Sequence, residues 1–204
     1  MNNNSSKILG VVIAVSIIMT SLLPLAHAHQ RALFEIGGKQ YLFVIGSNNE
    51  PLFVDDKTQA TLGATWPNAT DPTNTSANGT SPITGLEGLK VEITAGNKSM
   101  ISNLEPAYGE VGKYESETFY PTVATTFDYR IFGDINGTAF DVTFSCSPAG
   151  ELEPNDNSTV QVSEGVVRQA LLGGFGCPEE RTGFPEPYVS HYQIAQQLNN
   201  TSTQ

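Results

Sequence analysis

Only three histidines occur in the chain, and two of them, His27 and His29, fall in one six-residue stretch, LAHAHQ (Leu25 to Gln30), directly after an apolar run. A cut between Ala28 and His29 makes a histidine the first residue. Its α-amine and imidazole can then clip one cation, and nitrogen donors in a planar array suit Cu(II). A free α-amine titrates at about 8, so some of it is available as a ligand near neutral pH. A cut after Ala26 puts His29 at position three, where the amine, two amide nitrogens and the imidazole can wrap Cu(II) or Ni(II). His191, in YVSHYQ, is the only other histidine of the mature chain. A tail that folds back would add it to the site, with Tyr192, Asp55 or Asp56 as an outer ligand. The competing readings are a histidine tolerated beside a cleavage site, a solvated tail histidine, and a turn pair at Asp55-Asp56.

Other chemistries are poorly supplied. No G-x-S-x-G or H-E-x-x-H occurs, and the histidines are too few for a triad that also leaves a metal site. Glu105, Glu110, Glu115 and Glu117 fall at strand and loop spacing, which reads as acidic surface. The net charge of −11, which becomes −12 when Lys7 leaves with a signal peptide, argues against nucleic acid as a partner.

The N-terminal residues carry an export signal. Met1 to Lys7 is polar with one positive charge, Ile8 to Leu23 has no charge, and Ala26-His27-Ala28 offers the small residues signal peptidase prefers. Residues 1–28 therefore read as a signal peptide. The alternative is an uncleaved anchor over residues 8–26, long enough to cross a bilayer. Both place the rest outside the cytoplasm, secreted or on the cell surface. There Cys146 and Cys177, the only cysteines, are expected to pair, closing a loop worth about 3–4 kcal/mol.

Eight of the twelve asparagines after position 28 begin an Asn-x-Ser/Thr triplet: Asn68, Asn74, Asn78, Asn97, Asn136, Asn157, Asn199 and Asn200. This density points to N-glycosylation, and suits an archaeal or eukaryotic exterior better than a bacterial periplasm. The plainer reading is that Asn, Ser and Thr co-occur in polar loops.

Period-two alternation dominates the chain. ALFEI (32–36), Gly37-Gly38 and QYLFVI (40–45) read as a hairpin, followed by a short strand PLFV (51–54). Residues 66–85 are a polar loop. Strands are expected over 89–95, 99–105 and 113–119. A hairpin turns on Asn136-Gly137, with Phe127, Tyr129 and Ile131 on one face before it and Val142 and Phe144 after it. TVQVS (159–163) adds a strand, EGVVRQALL (164–172) a short helix, and Val189 to Leu198 a tail helix. The fold class expected is all-β: an Ig-like antiparallel sandwich over residues 29–182, with a proline-rich and helical tail over 183–204.

The segment LEPAYGEVGKYESETFYPTVATTFDYRIFGDING (Leu104 to Gly137) has the cadence G-x-Y, F-x-P-T and then an aromatic-alternating Y-R-x-F-G strand. It resembles the last strands of small exported Ig-like sandwiches of the CopC and YtkA-like type, whose mature chains also begin with histidine. That resemblance implies a Cu(II)-binding protein without turnover, for delivery, storage or scavenging. It implies His29 as copper ligand, an Asp of FVDD (Asp55 or Asp56) as acidic partner and His191 as the later histidine. Partners would be copper and a membrane-bound copper protein or transporter. The Asp-x-His near the end of that family is absent here, and the cysteine pair is an addition. The rivals are a glycosylated surface or adhesion module, or a membrane-complex subunit, in which His29 is incidental, and a copper oxygenase with a histidine brace from His29 and His191.

Overall fold

The computed structural model describes residues 29–148 and 155–201. The expected signal segment, residues 1–28, lies outside them. Alternation in the first two segments gives β1 (Gln30–Ile36) and β2 (Lys39–Ser47), paired in register from Gln30 opposite Ile45 to Ile36 opposite Lys39 across the Gly37-Gly38 turn. Both glycines have positive φ, 56° and 77°, the geometry a tight hairpin needs. The Asn136-Gly137 turn likewise joins β9 (Phe127–Ile135) and β10 (Thr138–Ser145) as expected.

The remaining strands are β3 (Ala60–Trp66), β4 (Ser81–Pro82), β5 (Lys90–Ala95), β6 (Lys98–Asn103), β7 (Glu105–Pro106), β8 (Lys113–Glu115), β11 (Val160–Ser163) and β12 (Val166–Leu172). They form two antiparallel sheets. One has eight strands in the order β11-β12-β1-β2-β3-β8-β7, with β4 on β3; the other runs β10-β9-β5-β6. Between them lies one core to which both sheets contribute. Phe34 and Phe43 from the first meet Phe140 from the second edge-on, with ring centroids 5.3 and 5.6 Å apart.

Four expectations change, one being that the strand expected over 113–119 ends at Glu115. Glu164 to Leu172 is not a helix: Gly165 turns the chain and Val166–Leu172 pairs with both β11 and β1. The β-branched pair Val166-Val167 suits that pleated setting. PLFV forms no strand but a single bridge from Phe53 to Glu179, with Leu52 and Val54 buried. Ala60–Trp66, read as no element, is β3, between β2 and β8.

The tail carries the one helix of the described residues, α1 (His191–Thr201). Its start is fixed by a reciprocal cap, in which Gln193 N–H donates to Ser190 Oγ and Ser190 N–H donates to Gln193 Oε1. No described helix is long and apolar enough to cross a membrane.

Candidate metal centre

Because Gln30 faces Ile45 in register, His29 falls beside Gly46 on the outer face of the larger sheet, opposite the face of Ala32 and Phe34. Gly46 does not have a positive φ, so its backbone does not require glycine. Space does. A β-carbon at Gly46 would lie 2.5 Å from His29 Cδ2 and 2.9 Å from Glu50 Oε1, so the missing side chain is what lets imidazole and carboxylate both pack on this position. His29 is half-buried. Burial and the nearby Lys113 charge lower its pKa, against a hydrogen bond to the Ser47 backbone that raises it.

Glu50 is held in the turn after β2. Its Oε1 accepts the Ser47 N–H at 3.1 Å, and the Gly176 backbone adds a second hydrogen bond. Burial pushes the carboxyl up to about 7 despite those two bonds. Among the described residues no lysine or arginine forms an ion pair with it. Lys113 is engaged elsewhere, with Asn48, Glu110 and Glu115 at 3.0, 3.2 and 3.0 Å.

Behind this pair, Ser47 Oγ and Tyr129 Oη share a buried hydrogen bond of 2.9 Å. Tyr129 stacks on Phe175 at 5.0 Å, and burial, opposed by the Ser47 bond and aided by the Glu50 charge, pushes its phenol up to about 12. The disulfide between Cys146 and Cys177 is formed. It fixes this wall, because Ser147 N–H donates to Phe175 O and Cys177 N–H donates to Ser147 O.

The other expected ligands gather elsewhere. Tyr188 Oη donates to Asp55 Oδ2 at 2.8 Å, and His191 meets Asp55 through its backbone N–H and Nδ1. Asp56 pairs with Arg181 and accepts the Phe53 N–H. Tyr192 is exposed on α1. No hydrogen bond or ion pair among the described residues links this group to His29, and no three His, Cys, Asp or Glu side chains among them are grouped to hold a metal ion.

All eight sequon asparagines are at least partly exposed. Asn68 Oδ1 accepts Thr70 and Asp71 N–H groups, and Asn74 donates to Asp71, so the loop is organised by its own side chains. Asn136 Nδ2 donates to Tyr41 Oη at 2.6 Å. A cleft of about 230 Å³ opens by β10 and β12, lined by Gln30, Thr143, Phe144 and Arg168 among others, with no carboxylate or imidazole in its lining.

Sequence reasoning missed Glu50 and Gly46. The signal that was there is a glycine at a β2 position the alternation gives to a side chain, followed four residues later by an acid. No family model, no curated protein and no solved structure matches this chain.

Proposed function

We propose that this chain is an extracytoplasmic Ig-like sandwich that binds Cu(II) as cargo through the amine and imidazole of a mature N-terminal His29, for delivery, storage or scavenging, without turnover. The observation that supports it most is the seat of His29. The residue that cleavage would expose stands immediately before β1, a strand paired on both sides, with its ring half-buried over Gly46. Its ring bond to the Ser47 backbone leaves the second nitrogen for a metal, the arrangement that orients a ligating histidine. The formed disulfide and the exposed sequons accord with export and a glycosylated surface.

The rival reading, a surface module that docks other molecules, draws support from Tyr108 and Val111 in the connection between β7 and β8, which are 103% and 71% exposed. One experiment separates the two. The exported protein is sequenced from its N-terminus and titrated with Cu(II). A start at His29 and one tight equivalent, lost in His29→Ala, is the expected result. A His29 start without binding would leave the surface module as the better account.

A further inference from the structure

We propose that Glu50 is the oxygen ligand that completes the copper site of His29, so that the metal is held by one amine, one imidazole and this carboxylate, and that Asp55, Asp56 and His191 take no part. The inference rests on the reading of His29 as the copper-binding residue. Its own support is geometric. Gly46 is the one position where a β-carbon would strike both the His29 ring and the Glu50 carboxylate, at 2.5 and 2.9 Å. Both groups therefore pack against the same glycine, in the space a side chain there would need.

The carboxylate is also aimed. Hydrogen bonds from the Ser47 and Gly176 backbones occupy part of its acceptor capacity, and an ionised carboxylate has about four lone-pair sites. The remainder has no cationic partner among the described residues. A half-buried carboxylate without a counter-charge pays for its desolvation, and a divalent cation between it and the imidazole would supply that charge. Two neutral nitrogens bring no negative charge, so the acid is what offsets the Cu(II) charge beside Lys113. Asp56 is held by Arg181 and Asp55 by the tail, so neither acid of the FVDD segment is free for the role.

The test uses the full exported protein beginning at His29, titrated with Cu(II) and followed by copper electron paramagnetic resonance. Glu50→Gln should weaken binding about tenfold or more, at least the loss seen for outer-shell partners, and change the copper hyperfine coupling. Glu50→Asp should recover part of the affinity. Gly46→Ala, which alters no ligand, should weaken binding as well, and thermal melts of each variant check that it is folded. Asp55→Asn and His191→Ala should bind as the parent does. Glu50→Gln with parental affinity and spectrum, while His29→Ala still abolishes binding, overturns the assignment of Glu50 and leaves His29 standing. Loss of copper in Asp55→Asn or His191→Ala overturns it too, in favour of the tail cluster. Absence of binding in the parent protein overturns the reading of His29 itself.

Discussion

His191 and Asp55, 136 positions apart, are joined twice: the His191 N–H donates to Asp55 Oδ2 at 3.0 Å, and His191 Nδ1 lies 3.2 Å from Asp55 Oδ1. With Tyr188 on the same carboxylate, Asp55 becomes the point where the tail is fastened to the sandwich. Asp55→Ala should free α1. Amide exchange in residues 191–201 should rise while global stability changes by about 1 kcal/mol or less, since the histidine end of the pair is exposed. Burial pushes the Asp55 carboxyl up, but the His191 backbone, Tyr188 and His191 side-chain bonds outweigh it and hold it below the ordinary value of 3.8. A depressed acid contributes above its unfolded pKa and loses that contribution as pH falls through its folded one. The tail should therefore detach below about pH 4, ahead of the core, as tail-specific exchange would show.

Tyr129 should make the fold sensitive to alkali. Its phenol is pushed from 10.0 up to about 12 by burial, so the folded state keeps the proton longer than the unfolded one. Stability then falls as pH rises from 10 toward 12, by on the order of 2–3 kcal/mol. Tyr129→Phe should flatten that part of the pH–melting curve. At neutral pH it should cost about 1–3 kcal/mol, because Ser47 Oγ loses its partner.

Reducing the Cys146–Cys177 bridge, 31 residues apart in sequence, should cost about 3–4 kcal/mol in a thermal or denaturant melt. The loss should be concentrated around Phe175 and Tyr129, whose stack depends on the segment the bridge fixes. Tyr129 fluorescence or ring chemical shifts should change before the β1–β2 amides exchange.

Asn136 sits at φ 53° in its hairpin turn and donates to Tyr41 Oη, a side chain with no exposed surface. Asn136→Ala should cost about 1–2 kcal/mol, from the left-handed backbone and the lost bond together. Asn97→Ala, in the β5–β6 turn, should change stability by about 0.5 kcal/mol or less. Paired denaturant melts check both.

The two long hairpins were legible because apolar alternation and the Gly37-Gly38 and Asn136-Gly137 turns agree on one structure. Ala60–Trp66 was not, because ATLGATW has few large apolar residues; its place between β2 and β8, not its own pattern, makes it a strand. Val166–Leu172 misled for another reason. Its apolar residues at 166, 167, 170 and 171 fit a helical spacing as well as a strand, and only pairing with β1 decides. At the candidate site, the sequence singles out His29 by its position after an A-x-A. It does not single out Glu50, since a polar turn conceals an acid whose partner is set by where the preceding strand lays Gly46.

The first strand of the described chain lies between the second strand and the last, with Arg31 opposite both Val44 and Leu172. The larger sheet therefore cannot close until some 140 further residues have been made. Contacts of that sequence separation belong to slow-folding β proteins, with times of milliseconds to seconds. Until β12 arrives, β1 offers an unpaired edge to any neighbouring strand, so crowding or a stalled nascent chain should favour aggregation through residues 30–36.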